Sequence, residues 1–97
     1  MTAAKRIVCF GEILLRLTAP GRTLPLQLPR FDVNVAGAEA NVAVALASFG
    51  HDARMVSVLP DSPLGRAAAG ELRRHGVDTR AIAFADGRMG LYFLTQG

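Results

Sequence analysis

The stretch "VAGAEANVAVALASFG", Val35 to Gly50, decides how the rest of this 97-residue chain is interpreted. It begins as a loop of small residues around Gly37 and continues as a helix. Gly50 follows the last helical position, as expected of a residue that ends a helix. Apolar residues recur at i, i+3, i+4 and i+7 and predict one buried helical face, made of Val42, Ala45, Leu46 and Phe49.

The start of this helix carries two polar residues, Glu39 and Asn41. A helix N-terminus presents unsatisfied N–H groups and a partial positive charge, and the small residues Gly37 and Ala38 let a ligand approach the backbone closely. A carboxylate and an amide could then bind hydroxyl groups, which favours recognition of an anion or a polyol. The alternative is ordinary helix chemistry, in which Glu39 complements the helix dipole and Asn41 caps locally. From the residues alone, both interpretations stay open.

The segment before this helix predicts a strand followed by an irregular excursion. "RIVCFGE" is typical of a buried parallel strand that ends at Gly11. Between Ile13 and Val35 the prolines exclude central strands, so the apolar-alternating pieces "LLRLT", "LQL" and "FDVNV" are interpreted as edge strands outside the main sheet.

The segment after this helix predicts strand, helix, strand and strand. "HDARMVSVLP" is a strand, and Ser62 with Pro63 begins a second helix that Gly76 ends. Its predicted apolar face consists of Leu64, Ala68 and Leu72. "AIAFA" is a strand, and the Asp86-Gly87 pair predicts a hairpin into "GLYFLTQ". Strands that alternate with helices predict an α/β fold with a parallel sheet. Because the last strand needs a partner, we expect these residues to open a longer protein.

Composition excludes several classes of protein. The 11 basic and 8 acidic residues give a charge of +3 without a basic cluster, so no nucleic-acid partner is predicted. The arginines are interpreted as solvated surface, with one or two available for an anionic ligand. The apolar run "IVCF" is too short for a signal peptide or a membrane span. A single cysteine, Cys9, is interpreted as a buried structural thiol, and a cytoplasmic location is expected.

Other candidate residues are few. Glu12 follows the first strand, where open α/β sheets bind ligands, although a solvated turn residue fits equally well. Tyr92 is interpreted as a half-buried strand aromatic, Asp61 as a turn residue, and both His51 and His75 as structural. Neither the phosphate-binding P-loop pattern nor the dinucleotide-binding glycine pattern is present in the sequence, and no metal site is predicted.

The ordered motifs "AGAEANVAVALASFG", "VLPDSPLGRAAAGELRRHGVDT" and "GLYF" resemble the PfkB (ribokinase-like) sugar kinases, most nearly the 2-keto-3-deoxygluconate kinase branch. Gly37, Asn41, Gly50 and the stretch from Asp61 to Gly65 match the first signature of that family. The usual Gly-Gly of the turn is Ala36-Gly37 here. Glu39 replaces the small residue that is common in ribokinases and is typical of the ketodeoxygluconate kinases.

This resemblance implies a ribokinase-like three-layer α/β/α fold with a small β-sheet lid, expected within residues 13–35 and 88–97. It implies transfer of the γ-phosphoryl of ATP, with Mg²⁺, to a sugar or sugar acid, most nearly 2-keto-3-deoxygluconate. Substrate contacts would come from Gly37, Ala38, Glu39, Ala40 and Asn41, with Tyr92 reaching from the lid and Glu12 as a further candidate. A homo-oligomer formed through the lid is also implied, and no membrane partner.

The catalytic aspartate of the family belongs to a Gly-Ala-Gly-Asp motif, which these 97 residues lack. The resemblance therefore implies that this aspartate lies beyond Gly97, and that the ATP site is also outside the chain. We expect the 97 residues by themselves to be inactive. Two alternatives remain: a fructokinase or other kinase of the same family, and a non-catalytic module for sugar binding or dimerisation.

Overall fold

The computed structural model describes residues 5–94, and they form a mixed α/β fold. The elements, in chain order, are β1 (Arg6–Phe10), β2 (Leu14–Thr18), β3 (Asp32–Ala36), α1 (Ala38–Ser48), β4 (Asp52–Pro60), α2 (Pro63–Arg74), β5 (Ile82–Ala85) and β6 (Gly90–Leu94). Both helices begin and end where the sequence predicts. Among the described residues, no helix is long and apolar enough to cross a membrane.

The main sheet is parallel, with strand order β1-β4-β5. Central β4 carries the largest fully buried side chains, Met55 and Leu59, and both α1 and α2 pack against it. Cys9 of β1 is buried in the same core, as predicted. The opposite face of the sheet is bare, because Phe10 is 75% exposed and Val58 is 65% exposed. The prediction that β1 is a buried strand is therefore wrong for one of its two faces.

A second, smaller sheet has the order β3-β2-β6 and comes from the predicted excursion and the end of the chain. β2 is antiparallel to β3 and parallel to β6. The predicted Asp86-Gly87 hairpin is wrong, because β5 belongs to the parallel sheet whereas β6 crosses to this one. The predicted lid spans of residues 13–35 and 88–97 contain these three strands except for Ala36, the last residue of β3. The last three residues of the second span, up to Gly97, lie outside the described part.

The piece "LQL" is a turn rather than a strand. Leu26 has a left-handed backbone with φ of 68°, and the Gln27 N–H donates to the Leu24 carbonyl at 3.0 Å. The side-chain carbonyl of Gln27 in turn accepts from the Leu24 N–H at 2.8 Å. These two bonds close a compact turn, which overrides the short apolar alternation.

The buried face of α1 differs from the predicted one. Ala40 and Ala43 are fully buried, whereas Val42 is 51% exposed and Phe49 is 79% exposed. Because α1 is apolar almost all round, its spacing cannot select the face that meets the sheet, and the small alanines allow close packing on β1 and β4. Of the predicted face, Leu46 packs partly against the core and Ala45 is exposed.

Helix α2 begins and ends as predicted, but its buried face differs in part from the predicted one. Ser62 caps it by accepting a bond from the Gly65 N–H at 3.2 Å, and Gly76, with φ of 89°, follows its last turn. Ala68 and Leu72 are buried as predicted. Leu64, which the spacing predicts to be buried, is 48% exposed, because the first turn packs through Gly65 instead.

Candidate functional site

The loop after β1 and the loop before α1 meet at a close backbone contact. Gly37 has φ of 126°, and a Cβ atom at this position would collide with the carbonyl oxygen of Glu12. Only glycine fits both this conformation and this space. The contact holds the N-terminus of α1 beside the carboxyl end of β1, which is the edge of a parallel sheet where ligands bind in open α/β folds.

Three of the predicted site residues surround that contact. The carboxyl carbon of Glu39 lies 2.6 Å from the position of a Cβ atom on Gly11, so this glycine makes room for the Glu39 side chain. The Glu12 Oε1 atom lies 3.8 Å from the corresponding position on Gly90, at the start of β6. Glu12, Gly37 and Glu39 are therefore brought together, and Glu12 connects them to the strand that carries Tyr92.

The N-terminus of α1 is open to solvent. Gly37 occupies the N-cap position, and among the described residues no side chain caps the N-terminus of α1. The local capping role considered for Asn41 is therefore not observed. Ala38, Glu39 and Asn41 are at least partly exposed, whereas the Ala40 side chain is buried in the core. Only the backbone of Ala40 could therefore meet a ligand. The free N–H groups and the positive end of the helix dipole remain available to an anion or a hydroxyl oxygen.

Asn41 also lines a cleft of about 710 Å³ between the smaller sheet and the two helices. This volume is in the range of small-molecule sites. The other polar residues that line this cleft are Arg16 and Asn34 of the smaller sheet and Glu71, Arg74 and His75 of the end of α2. Tyr92 is half-buried and lies directly opposite Arg16 in the ladder of β2 and β6. The sequence interpretation missed Arg16 and Asn34, although each is a polar residue inside an apolar-alternating strand.

The remaining polar candidates have structural partners. Asp61 lies in a bend and accepts a bond from Arg66 at 3.0 Å, and the same guanidinium stacks over Phe84 at 3.6 Å. His75 caps the end of α2 and contacts Glu71 at 3.3 Å. Hydrogen bonding from Arg74 lowers the pKa of Glu71. These contacts agree with the structural roles predicted for Asp61 and His75.

The described residues do not form a site for the metal ion or the catalytic aspartate that phosphoryl transfer would need. Within the part of the chain that the structure describes, no cluster of three or more His, Cys, Asp or Glu could hold a metal ion. The Gly-Ala-Gly-Asp motif is missing from the sequence. The expected position of the catalytic aspartate, beyond Gly97, lies outside the described residues and stays a prediction. No step through ATP or Mg²⁺ is therefore assigned to these residues.

The family model described as "pfkB family carbohydrate kinase" matches residues 4–97, which is nearly the whole chain. The chain belongs to the PfkB family of carbohydrate kinases. Its mixed α/β architecture is that of ribokinase-like kinases, as the sequence predicted. The resemblance recognised in the motifs around Gly37 and Asn41 is thereby confirmed.

Three relatives illustrate the range of the family. A 2-dehydro-3-deoxygluconokinase structure from Thermotoga maritima has 52% identity and a TM-score of 0.89. The match covers 92% of this chain and 27% of the Thermotoga chain. A 2-dehydro-3-deoxygalactonokinase of Haloferax volcanii is 43% identical over 100% of this chain and 30% of its own. A probable fructokinase-3 of Arabidopsis thaliana is 41% identical over 92% of this chain and 26% of its own. The PfkB chain described here thus spans less than a third of the length of each.

Proposed function

We propose that these residues are the sugar-binding and lid segments of an ATP-dependent kinase that acts on a sugar acid, most nearly 2-keto-3-deoxygluconate. The geometry that carries the proposal is the uncapped N-terminus of α1, held against the Glu12 carbonyl through Gly37, with Asn41 at the adjacent cleft. The 52% identity to a kinase named for this substrate supports the choice of branch.

In this proposal, α1 and the smaller sheet both contact the substrate. The backbone around Gly37 and Ala38, with Glu39 and Asn41, binds the substrate hydroxyl groups. Tyr92 contacts the substrate from the smaller sheet, which acts as a lid and excludes water from the phosphoryl donor. The bare face of the parallel sheet around Phe10 and Val58 is then covered by the rest of the kinase, which carries the catalytic aspartate, ATP and Mg²⁺.

The apolar face of the smaller sheet supports a homo-oligomer formed through the lid. Leu91 and Phe93 of β6 are 51% and 59% exposed, and Val33 of β3 is 54% exposed. The ring of Phe31 packs edge-to-face against that of Phe93, with the ring centroids 5.4 Å apart. A contiguous apolar surface of this kind favours contact with a second copy of the lid.

A panel of substrates tests the proposed function. The full-length protein that contains these residues should release ADP from ATP with 2-keto-3-deoxygluconate at a kcat/KM at least about tenfold above that with fructose. A preference for fructose would instead support the fructokinase alternative, which the 41% identity to the Arabidopsis protein favours.

A second experiment separates a kinase segment from a binding module. The purified 97-residue chain should show no ATP-dependent turnover with either substrate, because it has no Gly-Ala-Gly-Asp. Turnover by that chain would contradict the proposal. A full-length protein that binds sugar without turnover would support the non-catalytic module.

A further inference from the structure

A row of three polar side chains crosses the smaller sheet. Arg16 of β2 lies directly opposite Asn34 of β3 and directly opposite Tyr92 of β6. Residues that face each other across a ladder project from the same side of the sheet, and in an antiparallel pair such as Arg16 and Asn34 the Cβ atoms are about 4.5–5.5 Å apart. A guanidinium in the middle strand is therefore flanked by an amide and a phenol, and each of these three groups can donate a hydrogen bond.

The guanidinium of Arg16 has no anionic partner. Its Nε atom is buried and makes no hydrogen bond, and among residues 5–94 no carboxylate pairs with Arg16. Arg54 is the informative comparison, because its Nε is also buried but its Nη2 contacts Asp78 at 3.2 Å. The Arg16 side chain is half-buried, and a partly desolvated cation without a counter-charge is unfavourable unless something else supplies the charge, so the row fits an anionic ligand.

The position of Arg16 connects it with the proposed sugar site. Arg16 and Asn34 line the same cleft as Asn41, from the side of the smaller sheet, whereas Asn41 lines it from α1. A molecule in the cleft can therefore contact Asn41 and the Arg16 guanidinium, although the carboxylate of Glu71 also lines the cleft. A sugar acid carries both kinds of group that these side chains can bind, with hydroxyls along the chain and a carboxylate at one terminus.

We propose that Arg16, supported by Asn34 and Tyr92, binds the carboxylate of the substrate and determines the preference for sugar acids over neutral sugars. The assignment rests on the proposed sugar site. The planar guanidinium matches a carboxylate through two parallel hydrogen bonds. A neutral sugar leaves the buried Nε without a partner and is selected against for that reason.

Calorimetric titration of the full-length protein without ATP tests the assignment, with 2-keto-3-deoxygluconate and its uncharged methyl ester as ligands. Wild-type protein should bind the acid about 10- to 150-fold more tightly than the ester, the range expected for hydrogen bonds to a charged group. Arg16→Gln should bind both equally, and Arg16→Lys should keep part of the preference. Arg30→Gln removes the same charge from an exposed position nearby and should behave as wild type.

The outcomes separate this assignment from the proposed function. An equal loss of both ligands in Arg16→Gln, or no loss of the acid, would overturn the role of Arg16 while leaving a sugar kinase in place. Wild-type protein that bound neither ligand would contradict the proposed function itself. If Arg16→Gln did not fold, the ratio of acid to ester binding in Arg16→Lys would still decide. A ratio below that of wild type supports the assignment, and an unchanged ratio overturns it.

Discussion

The carbonyl oxygen of Glu12 lies so close to Gly37 that it would collide with a Cβ atom there, so the loop after β1 and the start of α1 touch through the bare backbone of Gly37. This contact has two consequences. It fixes the open helix N-terminus at the ligand-binding edge of the parallel sheet, and it requires glycine at the turn where α1 begins.

Gly37→Ala should therefore lower both stability and sugar binding. The φ of 126° and the collision with Glu12 act together, and we expect a loss of at least about 2 kcal/mol in the free energy of unfolding, measured by urea denaturation of the full-length protein. Gly21→Ala is the matched control, because Gly21 also has a positive φ, 57°, but has open space around it. Equal effects in the two variants would argue against the Glu12 contact.

Two glycines of α2 should respond in opposite directions to alanine. A Cβ atom on Gly65 would collide with the Pro60 carbonyl oxygen, whereas nothing lies within 4 Å of one on Gly70. Gly65→Ala should be destabilising by more than about 2 kcal/mol. Gly70→Ala should be stabilising by about 0.5–1 kcal/mol, since alanine is the better helix former. Thermal unfolding of both variants checks this, and a stable Gly65→Ala protein would contradict the packing of α2 against β4.

Asp78 should make stability depend on pH in the acid range. Hydrogen bonds from Arg80, and the charges of Arg80 and Arg54, lower the pKa of this carboxyl in the folded protein. Its contribution is therefore fully present above the ordinary aspartate pKa of about 3.9 and is lost as the pH falls through the lower, folded value. Asp78→Asn should be less stable than wild type at pH 7, and the difference should shrink below about pH 4.

The control for that measurement is Asp86→Asn, a change at an exposed aspartate that makes no ion pair within the described residues. Urea midpoints between about pH 2.5 and 7 should follow wild type for this variant. A constant difference between Asp78→Asn and wild type across that range would show that the ion pairs do not supply the pH dependence.

Asn41→Ala should weaken substrate binding without affecting the fold. Asn41 is exposed on α1, so the free energy of unfolding should change by less than about 0.5 kcal/mol. Loss of one neutral hydrogen bond should raise the KM for the sugar about 2- to 10-fold. Ser48→Ala, at the other end of the same helix, should leave KM unchanged. An unchanged KM in Asn41→Ala would remove this residue from the site.

Local signals in the sequence predicted the elements well but not their faces. The two ends of α2 are set by Ser62, Pro63 and Gly76 through contacts within a few residues, and a sequence pattern captures such local contacts. The face of α1 was missed because its residues are apolar all round, so the choice of Ala40 and Ala43 depends on packing against β1 and β4.

The Asp86-Gly87 prediction failed for a different reason. The turn signal is local, whereas the partners of β5 and β6 are set by two different sheets. Within the site, Gly37 and Asn41 could be identified from motifs. The approach of Glu12 to Gly37 and the row through Arg16 depend on strand register, which no local pattern specifies.

A crystal structure of the full-length protein with bound 2-keto-3-deoxygluconate tests the central claim most directly. The account predicts substrate hydroxyls within hydrogen-bonding distance of the α1 N-terminus and Asn41, beneath the smaller sheet. A substrate bound elsewhere, with no contact to residues 12–41 or to Tyr92, would contradict it.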